Sequence, residues 1–350
     1  MLRHKALAYF ALLAAVFIWG VNFVVVKEAT KAWSGQEFTF LAARFWLACL
    51  VFGSFLIFRH RSVTKIFAIS RPLLFRTALV GGVLAVGYGF QTWYLAQEGS
   101  GAVSAAFLTS TTVLWAPLLA RLFRQKVYPA TLIGAVVAMV GIVCMEWQTA
   151  TWKSGWGNWL ALFAAAAFAV EILLVSRFAP KHQSVQWTTI CCFCVAIIMT
   201  VTAALHEGWS WPEGQGDSRI FAVVFTGLFA TAVALGLQNW AQAQEINEVK
   251  IIDGPRAAII ATLEPVFTTL AVGALILLGL QGRYPDDPML PAVGCFLILV
   301  GTLISEFAAA KRGQQEAAAD TTQESAATQP QWAVPVSAQR VAEGFQDVTK

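Results

Sequence analysis

Gly89-Phe90-Gln91-Thr92-Trp93-Tyr94-Leu95-Ala96-Gln97-Glu98 returns 147 positions later as Gly236-Leu237-Gln238-Asn239-Trp240-Ala241-Gln242-Ala243-Gln244-Glu245. Six of the ten positions are identical, and three of those six are polar groups that close strongly apolar runs. Composition alone would not put them there, so the decapeptide marks a duplication. The match widens when it is followed outward. Leu12 to Lys27 resembles Leu162 to Arg177 in pattern at an offset of 150, with Phe17-Ile18-Trp19-Gly20 lying over Ala167-Phe168-Ala169-Val170. Ala105-Ala106 falls on Ala257-Ala258 at an offset of 152, and Gly134 with Gly141 falls on Gly294 with Gly301 at 160. Four matches in one order define two halves, residues 1–149 and 155–309.

Hydrophobic residues make up 57% of the 350-residue chain and charged residues only 13%. A soluble domain carries about 25% charge, so the apolar surplus has to face lipid. A helix needs roughly 20 mostly apolar residues to cross a bilayer. That ruler gives ten segments, at about 6–26, 37–58, 74–96, 101–123, 129–147, 157–178, 185–205, 220–243, 254–279 and 290–309. Each is apolar all round rather than alternating, which favours helices over the strands of a barrel. The fold class expected is therefore an all-α polytopic membrane protein. The first segment follows Arg3-His4-Lys5 but has no small-residue cleavage site, so it reads as a retained helix rather than a signal peptide.

Lys and Arg collect on the cytoplasmic side of short loops. With the N-terminus inside, sixteen of them fall on inner segments, and five (Lys27, Lys31, Lys153, Arg219 and Arg283) on outer ones. Both termini are thus expected in the cytoplasm. Five helices per half is an odd number, so the second copy enters the membrane from the opposite side. Such inverted repeats place a substrate site near the midplane at their interface, exposed to each side in turn as one half rocks against the other.

Several local features point the same way. The first segment carries Trp19-Gly20 with Asn22, the second Arg44, and the fourth Ser104-Ala105-Ala106-Phe107-Leu108-Thr109-Ser110. The ninth runs from Ala257 to Phe267 through Glu264-Pro265, and the fifth and tenth share Gly-x6-Gly. Over residues 6–309 this set resembles the EamA-type members of the drug/metabolite transporter superfamily. The resemblance implies a single-chain carrier in the inner, cytoplasmic membrane that moves small organic molecules, commonly an exporter of amino acids, other metabolites or toxic compounds. It also implies a central cavity lined mainly by segments 1, 3, 4, 6, 8 and 9, and no cofactor is expected. Two departures stand out: family members often have Gly-Glu after segments 4 and 9, where this chain has Arg124-Gln125-Lys126 and Gln281-Gly282-Arg283. Val113 also replaces the usual mid-segment Pro, with Pro117 one turn later.

A charge near the bilayer centre costs about 2.5–3.5 kcal/mol on insertion scales, so it faces the bundle interior for a reason. Glu264, Glu171 and Arg44 qualify. Glu264 reads either as a carboxylate that takes up a proton or faces a cationic substrate, or as part of a structural Glu-Pro kink bonded to a neighbouring helix. Pro265 lacks an N–H and leaves the Ala261 carbonyl without its helical partner. Glu171 is a candidate cavity residue, whereas Arg44, without a counterpart in the second half, reads as an ion pair or a snorkelling side chain.

In the decapeptide, Gly89, Trp93, Ala96 and Gln97 share one helical face, read as packing. Gln91 and Gln238 lie on the other as substrate contacts or inter-helix hydrogen bonds. Trp19, Asn22, Tyr88, Thr109, Thr112 and Trp115 complete the candidate site, the threonines having back-bonding to their own helix as the alternative. The aromatic rings suit flat or cationic substrates. Trp33, Trp152, Trp156, Trp209 and Trp211 lie near segment ends and read as interfacial anchors.

The six cysteines all fall inside membrane segments, and three thiols crowded at Cys191, Cys192 and Cys194 do not converge on one tetrahedral metal, so neither zinc nor a disulfide is expected. His4, His60, His182 and His206 fall in loops or at segment ends, and no phosphate-binding Gly-Lys-Ser/Thr loop is present, which disfavours an enzyme or an on-chain ATP motor. The expected function is a secondary carrier acting by alternating access, with protons as a candidate coupling ion, and a passive facilitator or channel as the alternative. Residues 310–350 lose the apolar period and turn rich in Gln, Thr, Ser and Glu, reading as a disordered cytoplasmic tail.

Overall fold

A computed structural model describes residues 2–61, 69–97, 100–125, 127–146, 156–208, 216–246, 249–279 and 289–327. Glu98, Lys65, Lys126, Lys153, Arg283, Trp152, Trp209, Trp211 and the tail beyond 327 lie outside these residues. The described chain is almost wholly helical. In order, the helices are α1 (Leu2–Ala32), α2 (Glu37–His60), α3 (Arg71–Ala96), α4 (Ala102–Ser110), α5 (Thr112–Ala120), α6 (Pro129–Glu146) and α7 (Trp156–Phe178). They continue as α8 (Ser184–His206), α9 (Gly216–Phe225), a π-helical stretch Thr226–Val233, α10 (Ala234–Ala243), α11 (Gly254–Ala261), α12 (Glu264–Leu277) and α13 (Met289–Ala327). Among the described residues nine helical spans are long and apolar enough to cross a membrane, and the shorter apolar helix Pro129–Met145 occupies the fifth expected segment. The chain is a multi-pass membrane protein.

Contacts divide the chain into a unit of residues 1–305 and a second of residues 306–350, in which helix is described as far as Ala327. That helix enters the stretch where the apolar period ends. Its Ala, Glu, Lys and Gln have high intrinsic helix propensity, which does not depend on an apolar face.

Three of the ten expected segments are not uniform α-helices. The fourth breaks between α4 and α5 at Thr111, where the Thr111 and Leu114 amides bond three residues back, at 3.2 and 2.9 Å. The ninth breaks between α11 and α12 at Thr262-Leu263, whose amides also reach back three residues, at 3.0 and 3.1 Å. Pro265 falls in the first turn of α12, where a proline is tolerated as it is not in a helix interior. The eighth carries the π-helical stretch, in which the Thr231 hydroxyl donates to the Thr226 carbonyl five residues back at 2.9 Å.

Helix packing maps onto itself when the two halves are exchanged. α1 packs on α10 and α12, as α7 packs on α3 and α5; α4 lies against α12, as α11 lies against α5; and α2 meets its own counterpart α8. α6 and α13 cross at their glycines. A Cβ on Gly141 would lie 2.6 Å from the Gly294 carbonyl oxygen, and one on Gly134 would lie 2.6 Å from that of Gly301. Small residues let membrane helices approach backbone to backbone, which is where much of their attraction comes from. Similarly, a Cβ on Gly81 would meet Cys194 Cβ at 2.7 Å, so the crowded thiols of α8 are packing groups against α3.

Two expectations about the periphery are corrected. Trp33 is fully buried rather than an interfacial anchor, with Phe40 at 5.9 Å and the Arg219 guanidinium over its ring. The α1–α2 turn folds it inward: Gly35 adopts φ 77°, the left-handed region that favours glycine, and α2 starts over the indole. The decapeptide face read as packing is mixed, because Trp93 is 46% exposed while Gly89 contacts Met199. Between α10 and α11 the chain makes a short antiparallel ladder, Glu245 opposite Lys250 and Ile246 opposite Val249. Burial pushes the Lys250 ammonium below its ordinary pKa, and Glu245, 3.8 Å away, draws it back up.

Candidate functional site

The two helix breaks face one internal cavity. It leaves about 60 Å³ to the centres of water-sized spheres, in a cleft open on one side. α1 contributes Trp19, Asn22 and Phe23, and α3 contributes Leu84, Tyr88 and Gln91. Thr109, Ser110 and Thr112 come from the fourth segment's break, and Ala258, Ala261 and Glu264 from the ninth's. α7 adds Phe168, Glu171 and Ile172, and α10 adds Leu235 and Gln238.

Of the expected site residues, Trp19, Asn22, Tyr88, Gln91, Thr109, Thr112, Glu171, Gln238 and Glu264 are brought together on this lining. Trp115 is not. It is 37% exposed, on the side of α5 opposite the buried face of Thr112, Val113, Ala116 and Ala120. Helical spacing from Thr112 alone did not say which way α5 turns after the break. Phe168, Leu84 and Leu235 were missed, yet each lies three or four residues before an expected one (Glu171, Tyr88 and Gln238) on the same helical face, while Ala261, also missed, faces Glu264 across the ninth segment's break.

Hydrogen bonds engage several of these side chains inside the protein. The Gln91 amide donates to the Thr109 hydroxyl at 3.3 Å, and the Gln238 amide donates to Glu171 Oε2 at 3.2 Å, so both glutamines tie helices together while lining the cavity. Thr112 bonds back to the Thr109 carbonyl at 2.6 Å and also reaches the Ala165 carbonyl of α7 at 3.0 Å. Ser110 bonds back to the Ala106 carbonyl at 2.7 Å. These hydroxyls satisfy carbonyls of α4 and of the neighbouring α7 at the break and stabilise it without a proline. The Trp19 indole donates to the Ala230 carbonyl in the π-helical stretch at 2.9 Å.

The two carboxylates differ. Glu171 is 2% exposed and already bonded to Gln238. Glu264 faces the cavity and its carboxylate has no hydrogen-bond or ionic partner among the described residues. α1 holds its position closely: a Cβ on Gly20 would lie 2.9 Å from the Glu264 carbonyl oxygen, and the Thr268 hydroxyl bonds both that oxygen and the Gly20 carbonyl at 2.9 Å.

Among the described residues Arg44 has no ionic partner, and it does not snorkel. It is 1% exposed, donates through Nε to the Thr231 hydroxyl at 3.0 Å, and lies over Tyr88 and Phe45, 5.1 and 5.5 Å from their ring centroids. The π-helical turn that presents Thr231 has no signature in apolar periodicity. Arg44→Lys is expected to destabilise the protein by about 2 kcal/mol, because an ammonium keeps the charge but loses the planar stacking and the Nε donor. Thermal unfolding in detergent measures it, and an unchanged midpoint would sink this account of Arg44.

The EamA-like transporter family model matches residues 6–147 and 155–280. An uncharacterized transporter of Archaeoglobus fulgidus is 30% identical over 295 residues, covering 82% of each chain. The uncharacterized inner membrane transporter YedA of Escherichia coli K12 is 27% identical over 226 residues, covering 64% of this chain and 71% of its own. One crystal structure superposes with a TM-score of 0.65 at 19% identity, covering 86% of this chain and 97% of its own, and shares the fold.

Proposed function

The chain belongs to the EamA-like transporter family, and from that premise we propose that it is a secondary carrier moving small organic molecules across the cytoplasmic membrane by alternating access. The observation that carries this reading is the pair of broken helices. They occupy equivalent places in the two halves, lie side by side, and meet at a cavity with an unpartnered carboxylate. Interrupted segments at corresponding positions are the physical sign of a carrier's binding site, since irregular backbone at membrane depth is tolerated only around a cavity. The self-exchanging packing, with Gly141 on Gly294 and Gly134 on Gly301, supports two inverted five-helix repeats with both termini cytoplasmic. Outward transport and the cytoplasmic membrane rest on family resemblance and on the inner-membrane name of the Escherichia coli relative.

Glu264 is the group proposed to exchange a proton or a cationic substrate between the two sides. Counterflow of labelled amines and amino acids in proteoliposomes, with and without an imposed pH gradient, tests the carrier. Trans-stimulated, saturable exchange is expected, with a gradient response that disappears in Glu264→Gln. Flux with neither saturation nor trans-stimulation would instead establish a channel.

A further inference from the structure

Charge and hydrogen-bonding sense together restrict what the cavity can hold. Its formal charges are two carboxylates, Glu171 and Glu264, and its lining among the described residues contains no Lys, Arg or His. Several donors on its wall are already engaged inside the protein. The Trp19 indole is on the Ala230 carbonyl, the Ser110 and Thr112 hydroxyls are on helix carbonyls, and the Gln238 amide is on Glu171. Asn22 Oδ1 is buried without a partner, and the Glu264 carboxylate has none among the described residues, so two acceptors face the cavity beside the Tyr88 and Thr109 hydroxyls and the Asn22 amide, which can donate.

Arg44 completes the charge count. Its guanidinium lies outside the lining, over Tyr88, so it offsets one of the two carboxylates without offering the cavity a donor. With both carboxylates ionised, one net negative charge is left among aromatic rings.

We propose that the substrate is a monocationic amine or amidine with at least two N–H groups beside a flat apolar ring, and that zwitterionic amino acids and organic anions are rejected; this rests on the carrier reading above. The ammonium donates to Glu264 and Asn22, and the ring lies against Trp19, Tyr88 and Phe168, where the aromatic faces also attract the charge. The carboxylate of an amino acid meets Glu171 or Glu264 instead, with no cation on the wall to offset it, and like charges in a low-dielectric site repel strongly. A quaternary ammonium keeps the charge and the aromatic attraction but has no N–H to fill the acceptors.

Equilibrium binding of radiolabelled phenethylamine to the detergent-solubilised full chain tests this, with three competitors that share its ring: phenylalanine, phenylpropionate and trimethylphenethylammonium. Saturable binding is expected. The quaternary amine should compete about tenfold more weakly than unlabelled phenethylamine, and phenylalanine and phenylpropionate about a hundredfold more weakly. Competition by phenylalanine or phenylpropionate as strong as by phenethylamine overturns the substrate class, as does the absence of binding. Counterflow of phenethylamine in proteoliposomes separates the two readings. Saturable binding with flux that lacks trans-stimulation leaves the cationic class standing and removes the carrier, whereas trans-stimulated exchange of phenylalanine does the reverse.

Discussion

Gly141→Leu is expected to prevent accumulation of folded protein, with the Gly294→Leu variant behaving alike. A Cβ at Gly141 would lie 2.6 Å from the Gly294 carbonyl oxygen and 2.8 Å from the Ile298 amide, while one at Gly294 would lie 2.5 Å from the Gly141 carbonyl oxygen and 2.7 Å from the Met145 amide. These are backbone atoms, so no rotamer change relieves the clash, and the helices have to separate. Separation removes the close packing that holds membrane helices together, because lipid competes equally well for their apolar side chains. Overpacking a well-filled core costs about 1–3 kcal/mol, and a leucine between two backbones belongs at or above the top of that range. Gly82→Ala is the control, since nothing lies within 4 Å of its added Cβ and alanine favours the helix by about 1 kcal/mol. Fluorescence-detected size exclusion and thermal unfolding in detergent read both. A monodisperse Gly141→Leu protein with the native midpoint would remove this crossing as a determinant of the fold.

The glycines of that crossing were legible as a repeat, because Gly-x6-Gly occurs in both halves and helical spacing puts each pair on one face two turns apart, but that the two faces meet was not. The polar lining was legible for a related reason. Glu171, Glu264, Gln91 and Gln238 interrupt apolar runs, and a polar group at membrane depth has few places to go besides an internal cavity. The break in the ninth segment was foreshadowed by Pro265. Its partner at Thr111 was not, because Ser110, Thr111 and Thr112 end the α4 ladder by bonding back to its carbonyls, and hydroxyl residues do so in unbroken helices as well. Trp115 was misplaced as a result, since its direction depends on how α5 is set after that break. Arg44 was misread because its partners are a π-helical threonine and two rings, none of which is a charge that a search for ion pairs would find.

Glu264→Gln is expected to reduce substrate exchange by about a hundredfold while leaving the protein as stable as the native chain or more so. The substitution keeps the side chain's size and removes one charge from the cavity wall. A hydrogen bond to a charged group contributes about 1.5–3 kcal/mol, and each 1.4 kcal/mol is a factor of ten in affinity. Among the described residues the Glu264 carboxylate has no partner to lose, so its charge costs the fold a desolvation penalty that glutamine avoids. Glu171→Gln makes the contrast informative. Glu171 already accepts from Gln238 at 3.2 Å, and its replacement disturbs a tie between α7 and α10, so it should lower the unfolding midpoint as well as the flux. Opposite signs of stability change in the two variants, read by thermal unfolding beside counterflow, would distinguish a carboxylate held for transport from one held for structure. Native exchange in Glu264→Gln would mean that the unpartnered carboxylate is not what the cavity offers its substrate, and Asn22 and Glu171 would then have to provide the acceptors.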